Sequence, residues 1–213
     1  MTAVSPTAVF ASVGRSPLSP HRQHRNSNRE GPGMEPQAAK LTKGLVQVYT
    51  GNGKGKTTAA LGLALRAVGH GMRVYVMQFL KGQDYSELVS SRRLAPELTL
   101  EQVGRDTFVI PGHIDPVDTQ MAQAAFTRAR QLVGGGEYDL VILDEINGAV
   151  DLGLIALADA VDLVRNKAPH TELVLTGRGA RPEIIELADL VTEMRDIKHY
   201  FNAGQPARRG IES

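Results

Sequence analysis

The sequence has no cysteine, almost no net charge and no long apolar run. Without cysteine the chain forms neither disulfides nor thiolate metal sites, it has no cysteine nucleophile, and a reducing compartment is allowed. With 24 basic and 23 acidic side chains, the formal net charge of +1 gives no general attraction to nucleic acid or an anionic membrane. The longest apolar runs are about six or seven residues, whereas a membrane-spanning helix needs roughly 20. These absences predict a cytoplasmic protein that binds neither membranes nor nucleic acid and recognises phosphate only locally.

The 213 residues, 42% of them hydrophobic, are enough for one domain with a buried core. Residues 1–40 differ from the rest, since they are rich in Ser, Pro, Arg and Asn and contain no acidic residue before Glu30. We predict a disordered tail over residues 1–40 and a folded domain over residues 41–213. Three roles stay open for the tail: a dispensable extension of a chain that starts at Met34, a transit peptide, or a flap over the active site.

From Leu45 onward, short β-rich runs alternate with helical stretches, which predicts an α/β fold with a mainly parallel sheet. Strands are predicted at Leu45–Thr50, Arg73–Phe79, Leu98–Val103, Leu140–Asp144, Glu172–Thr176 and Leu190–Thr192. Helices are predicted at Lys56–Val68, Asp118–Val133 and Leu154–Asn166. The apolar stripe of the third helix is interpreted as core-facing rather than ligand-binding, and consists of Leu154, Leu157, Ala158, Val161 and Val164.

A glycine-rich segment follows the first strand and opens the first helix, which is the context of a phosphate-binding P-loop. Its predicted binding residues are Gly51, Asn52, Gly53, Lys54, Gly55, Lys56, Thr57 and Thr58. Glycines let backbone N–H groups approach phosphate oxygens, Lys56 adds a positive charge, and the Thr57 hydroxyl can ligate Mg²⁺. Lys56 and Thr57 are therefore the candidate catalytic residues, and the fold is predicted to be a RecA-like three-layer P-loop domain that binds ATP and Mg²⁺. The general P-loop pattern has a glycine where this chain has Thr50, so the loop departs from that pattern. The alternative interpretation of the segment is a glycine-rich turn that only connects the strand to the helix.

Two further segments are expected at the same edge of the sheet, because ligands of open α/β sheets collect at the carboxyl ends of the strands. Asp144 and Glu145 follow a doubly covered apolar strand and can hold Mg²⁺ with Thr57. Either carboxylate could instead start the next helix. Arg178, after the strand that ends at Thr176, can contact phosphate or ribose, and its alternative is an ordinary surface arginine.

From about Gly44 to Glu212 the sequence resembles the CobA-type ATP:corrinoid adenosyltransferase family. The segments that carry the resemblance are Tyr49–Thr58, Arg66–Gly71, Gln78–Gly82, Leu143–Glu145, Thr176–Gly179, Lys198–Gly204, Ala207–Arg208 and Gly210–Glu212. No general ATPase motif requires the C-terminal segments. The resemblance implies transfer of the 5′-deoxyadenosyl group of ATP to the Co(I) of a reduced corrinoid, with release of triphosphate.

The implied chemistry matches the residues that the chain offers. Co(I) is itself the nucleophile and carries no proton, so the reaction needs no catalytic Ser or Cys and no general base. The family also implies ATP bound in reversed orientation, which the modified loop at Thr50 and Gly51 fits. It further implies an electron donor such as a reduced flavoprotein, and a homodimer.

One stretch departs from the family. Better-known members carry a Gly-Phe-Thr-Trp motif near the corrinoid, and the corresponding segment here is approximately Asp106-Thr107-Phe108-Val109, which lacks the tryptophan. Phe108 is interpreted either as a corrinoid contact or as a core residue of an edge strand.

Two other functions share the same phosphate site: a RecA-like ATPase that drives a partner, and a small-molecule kinase. Two observations argue against the ATPase function: no residue beyond Glu145 is an obvious candidate to activate water, and an ATPase function would leave the C-terminal motif unexplained. The products distinguish the three functions.

Overall fold

The computed structural model describes residues 41–83, 85–107, 109 and 112–212. Six strands lie in these ranges: β1 (Val46–Thr50), β2 (Val74–Phe79), β3 (Leu98–Val103), β4 (Leu140–Asp144), β5 (Glu172–Thr176) and β6 (Leu190–Glu193). All six predicted strands are confirmed, with ends that differ by at most one residue. The predicted tail over residues 1–40 lies outside the described residues and stays a prediction.

The strands form one sheet in the order β3-β2-β4-β5-β1-β6, and every neighbouring pair is parallel. The predicted parallel α/β architecture is therefore confirmed. Because parallel strands end at the same edge of a sheet, the segments that follow β1, β2, β4 and β5 meet there. This meeting point positions the candidate site.

The described helices are α1 (Lys56–Gly69), α2 (Ser86–Arg92), α3 (Pro116–Gly135), α4 (Ile146–Asp151), α5 (Leu157–Arg165) and α6 (Pro182–Ile185), followed by a 3₁₀ turn at Tyr200–Ala203. Local chemistry fixes the ends of α3: the Asp115 side chain accepts a hydrogen bond from the Val117 N–H, Pro116 occupies the first turn, and Gly136 ends the helix with a φ of 67°. No helix in the described ranges is long and apolar enough to cross a membrane.

Successive strand residues contribute to two apolar layers, one on each face of the sheet. Val74 and Val76 of β2 pack with the α1 layer, whereas Met77 and Phe79 pack on the opposite face with α3, α4 and α5. The fully buried apolar residues that α1 contributes to the first layer are alanines, Ala60, Ala64 and Ala67, and its larger apolar side chains are only partly buried. Small side chains let this helix lie close to the sheet, and its first turn is thereby held against the strand ends.

The third predicted helix needs correction, because it begins at Leu157 and not at Leu154. Gly153 adopts a φ of 76° after α4, and this turn directs Leu154 into the core before the helix starts. Ala158 is exposed, so it does not belong to the core-facing stripe. The sequence analysis also did not predict α2, α4 and α6, which have only 7, 6 and 4 residues and are too short for a clear helical period.

Candidate active site

The phosphate loop connects β1 to α1 and surrounds the side chain of Lys56. The Lys56 ammonium donates hydrogen bonds to the carbonyl oxygens of Gly51 (2.8 Å) and Gly53 (2.9 Å). Gly51 and Gly55 have φ values of 96° and 122°, which residues with side chains rarely adopt. Burial lowers the pKa of Lys56. An anion bound in the loop would reverse this effect, because it would stabilise the charged ammonium.

The loop rests on the segment that follows β6. The Gly53 N–H donates to the carbonyl oxygen of Met194 at 2.7 Å. A Cβ atom at Gly53 would lie 2.7 Å from the carbonyl carbon and oxygen of Arg195 and 2.8 Å from the Met194 oxygen. All three are backbone atoms, so they cannot yield as a flexible side chain would. The glycine at position 53 is therefore required by contact with the chain beneath the loop.

We expect Gly53→Ala to displace the loop, lowering the free energy of unfolding by about 1–3 kcal/mol and weakening ATP binding at least about tenfold. Thermal unfolding and calorimetric titration with ATP measure the two effects. Gly62→Ala in α1 is the matched control, since a Cβ there meets no atom within 4 Å. That control should gain up to about 1 kcal/mol from helix propensity. Wild-type ATP affinity in Gly53→Ala would contradict the role assigned to the contact.

Thr57, in the first turn of α1, contacts the carboxylate of Asp144 at the end of β4. Its hydroxyl donates to Oδ1 at 2.9 Å, with Oδ2 at 3.2 Å. Asp144 is only 1% exposed, and its Oδ1 also accepts a hydrogen bond from the Thr176 hydroxyl at 2.6 Å. The structure therefore brings together the loop and the carboxylate that the sequence placed on neighbouring segments.

Glu145 lies beside Asp144 in a left-handed backbone conformation, with a φ of 61°. Its N–H donates to the Thr176 hydroxyl at 2.9 Å. It precedes α4 but makes no side-chain capping bond, so helix capping does not account for its carboxylate. Burial raises the pKa of Glu145, and the Asp144 charge raises it further, while Lys81 and Lys56 oppose the shift. A bound cation would stabilise the ionised carboxylate.

The oxygens of Thr57, Asp144 and Glu145 are the donors that could hold Mg²⁺. Within the described ranges no cluster of three or more His, Asp or Glu side chains could hold a metal alone. Mg²⁺ is usually bound through one or two carboxylates together with water and substrate phosphates, so a partial set of hard oxygen donors is what it needs. The residues therefore fit an ion shared with a phosphate chain.

Lys81 and Gln78, at the carboxyl end of β2, belong to the same cluster, although the sequence analysis gave them no site role. The Lys81 ammonium lies 2.8 Å from Asp144 Oδ2, and the fully buried Gln78 amide donates to the same oxygen at 3.1 Å. Their segment, Gln78–Gly82, carries part of the family resemblance, but no general phosphate-site motif gives either residue a role. The parallel pairing of β2 with β4, which aligns Gln78 with Asp144, is what brings them here.

Arg178 lies on the loop after β5, and this loop is attached to β1. The Gly177 N–H donates to the Tyr49 carbonyl at 3.2 Å, and the Ala180 N–H donates to the Thr50 hydroxyl at 3.3 Å. Thr50, where the general pattern has glycine, thus supplies an acceptor that glycine lacks. Arg178 lines the same cavity as the phosphate loop and is close enough to lower the pKa of Lys56.

The C-terminal segment completes one wall of the site. Glu212 accepts hydrogen bonds from the Arg208 N–H at 2.7 Å and from the Tyr200 hydroxyl. The Arg208 guanidinium and the Tyr200 hydroxyl together lower the pKa of Glu212 to about 2. Lys54 in the phosphate loop donates to the Ile211 carbonyl at 3.3 Å. These contacts give the C-terminal motif a position next to the loop, which composition alone could not predict.

A cavity of about 650 Å³ collects these elements, a size typical of small-molecule sites. Of the predicted site residues, those that line it are Asn52, Gly53, Lys54, Gly55, Lys56, Thr57, Thr58, Glu145 and Arg178. Gly51 and Asp144 lie behind them and contact Lys56 and Thr57. Phe108 lies outside the described residues, so its proposed corrinoid contact stays a prediction.

Comparison with known proteins gives one family. Residues 42–213 match the model of the family ATP:corrinoid adenosyltransferase BtuR/CobO/CobP. A corrinoid adenosyltransferase of Pseudomonas aeruginosa is 36% identical over 203 residues, covering 94% of this chain and 100% of the relative. A corrinoid adenosyltransferase of Escherichia coli K12 is 39% identical over 171 residues, with 80% and 86% covered. The corrinoid adenosyltransferase CobA of Salmonella typhimurium is 36% identical over 174 residues, with 82% and 88% covered.

Proposed function

This chain belongs to the ATP:corrinoid adenosyltransferase BtuR/CobO/CobP family, and from that premise we propose that it transfers the 5′-deoxyadenosyl group of ATP to the Co(I) of a reduced corrinoid. In this reaction a cobalt–carbon bond forms at C5′, the C5′–oxygen bond breaks, and triphosphate leaves. Cobalt supplies both electrons of the new bond, and no proton moves. The activity is a step of cobalamin biosynthesis.

The observation that carries the proposal is the buried Lys56 in the glycine-rich loop, which lines one cavity together with Thr57 and Glu145. Asp144 lies behind Thr57 and contacts its hydroxyl, and Thr57, Asp144 and Glu145 together form the rim of the site. A triphosphate leaving group gains negative charge as the C5′–oxygen bond breaks. Lys56 and the amides at the start of α1 provide fixed positive potential for that charge, and they need no reorganisation during the reaction. Mg²⁺, when held by the rim, would supply further Lewis-acid stabilisation of the phosphate oxygens.

We assign roles accordingly. The triphosphate contacts residues 51–58, with Lys56 and Thr57 as the catalytic residues. Arg178, which is exposed and lines the same cavity, contacts phosphate or ribose, and its guanidinium can bind phosphate oxygens in a bidentate geometry. Phe108 is the proposed corrinoid contact, and this assignment rests on the family resemblance.

The reaction places demands outside the chain. Co(I) is a strong reductant, so an electron donor such as a reduced flavoprotein has to reduce the corrinoid cobalt to this state. We propose the cytoplasm as the compartment, because it is a reducing environment. A homodimer is also proposed, by analogy with the family.

Product analysis tests the function directly. Purified protein is incubated with ATP and Mg²⁺, with and without a chemically reduced corrinoid, and the nucleotide products are separated. We expect triphosphate and an adenosylated corrinoid in equal amounts, and only when the reduced corrinoid is present. ADP with phosphate independent of corrinoid would indicate an ATPase, and ADP with a phosphorylated acceptor would indicate a kinase; either result would overturn the proposal.

A further inference from the structure

We propose that Lys81 is an internal counter-cation of Asp144, and that a metal ion must displace the Lys81 ammonium to reach this carboxylate. Lys81 is then a positioning residue that weakens metal binding in the nucleotide-free protein. The inference rests on the proposed function, because it concerns the same Thr57–Asp144–Glu145 rim.

The surroundings of Asp144 carry the first step. Its carboxylate is 1% exposed and accepts hydrogen bonds from three neutral donors, on Thr57, Thr176 and Gln78. Among the described residues, the cation that pairs with it is the Lys81 ammonium at 2.8 Å, and the Lys81 side chain is only 14% exposed. A buried carboxylate without a counter-charge is strongly destabilising, so this ammonium stabilises the site while no metal is bound.

The backbone around Lys81 is built to deliver it. Leu80 adopts a φ of 59°, an uncommon conformation for a branched apolar residue. A Cβ at Gly82 would lie 2.4 Å from the Gly104 carbonyl oxygen, and a Cβ at Gly104 would lie 2.7 Å from the backbone nitrogen of Lys81. The turn therefore packs backbone against backbone, and an extended strand end would not direct Lys81 to Asp144.

Neighbouring side chains surround the ion pair of Lys81 and Asp144 and orient its partners. The Gln102 amide donates to Gln78 Oε1 at 3.0 Å, which orients the Gln78 amide nitrogen toward both Asp144 and Glu87. Glu87 lies 4.0 Å from the Lys81 ammonium, and the Tyr85 ring lies 5.2 Å from it. A lysine released from Asp144 would thus keep a second carboxylate and an aromatic face nearby.

The consequence is a coupling between metal and nucleotide. A metal ion that arrives alone competes with Lys81 for Asp144. With a phosphate chain in the cavity, the ammonium that lines the cavity gains another anionic partner, so its departure from Asp144 becomes easier. The protein would then bind the metal and nucleotide together in preference to the metal alone.

The test is calorimetric titration of the nucleotide-free protein with Mg²⁺ alone. We expect Lys81→Met to bind Mg²⁺ about tenfold more tightly than wild type, because the competing charge is gone. Lys81→Arg should keep the wild-type affinity. Lys43→Met is the matched control: it removes an exposed lysine that lies outside the residues lining the cavity. Its Mg²⁺ affinity should change by less than about threefold.

Thermal unfolding gives a readout that does not depend on turnover. In EDTA, Lys81→Met should melt below wild type, since Asp144 has lost its counter-charge, and Mg²⁺ should restore more stability to it than to wild type. If this variant does not fold in either buffer, Lys81→Gln keeps a donor toward Asp144 without the charge, and the same results are expected of it.

Unchanged or weaker Mg²⁺ binding in the neutral variants would overturn the inference. If wild type still yields triphosphate and adenosylated corrinoid, the proposed function survives that result. Failure of wild type to form these products would instead refute the proposed function.

Discussion

Lys56→Ala should lower the rate of corrinoid adenosylation about 100-fold, equivalent to about 2.7 kcal/mol of transition-state stabilisation. The Lys56 ammonium is buried within the loop, where its hydrogen bonds to Gly51 and Gly53 fix it at the centre of the proposed triphosphate site. Alanine removes the charge that would face the leaving group as the C5′–oxygen bond breaks. Single-turnover kinetics with saturating ATP and pre-reduced corrinoid measure the effect on the chemical step.

Lys54→Ala is the control for Lys56→Ala. It also removes a lysine charge from the loop, two positions before Lys56, but the Lys54 side chain is exposed. We expect its rate to fall by less than about tenfold, since an exposed charge is screened by solvent. Equal losses in the two variants would show that general electrostatics, and not the position of Lys56, drives the effect. A Lys56→Ala rate near wild type would contradict the assignment of the phosphate loop.

Asp144→Ala should cost both stability and activity. Substitution removes the acceptor that Thr57, Thr176 and Gln78 share and the closer of the two carboxylates that pair with the Lys81 ammonium. Breaking such a buried pair typically costs about 3–5 kcal/mol. The rate should fall at least about 100-fold, because the rim also loses the carboxylate proposed to hold Mg²⁺.

Chemical denaturation with and without Mg²⁺ measures the stability part, and the product assay measures the rate. Asp159→Ala is the control, since this carboxylate pairs with Arg130 at 3.7 Å on the surface and is 57% exposed. Exposed pairs are worth at most about 1 kcal/mol, so the control should unfold near wild type. If Asp144→Ala were as stable and as active as Asp159→Ala, the central place of Asp144 in the site would be wrong.

Much of this site was predictable because its parts are local in sequence. Residues 51–58 carry a recognisable order of glycines, lysine and threonine, and the apolar strand before Asp144 leads directly to the carboxylates. Rules on parallel sheets then place both at one edge. These predictions needed no knowledge of the strand order.

Lys81 and Gln78 could not be found in this way. Their place beside Asp144 depends on β2 pairing with β4, a long-range choice that short-range hydrophobic patterns do not encode. The left-handed turn at Leu80 is likewise invisible, since a leucine gives no sign of positive φ. The beginning of α5 was misplaced for a related reason: the turn at Gly153 lets Leu154 reach the core outside a helix, although its spacing fits the helical stripe.

The place of β1 in the sheet has a consequence for the order of events during synthesis. β1 is the first strand of the described chain to be translated, yet its two neighbours are β5 and β6, the last two. At about 5–20 residues per second, roughly 7–29 s separate the appearance of β1 from that of β6 on the ribosome. Through that interval the phosphate loop lacks the Met194–Arg195 backbone on which it rests. We therefore expect nucleotide to stabilise this loop only once synthesis of the domain is almost finished.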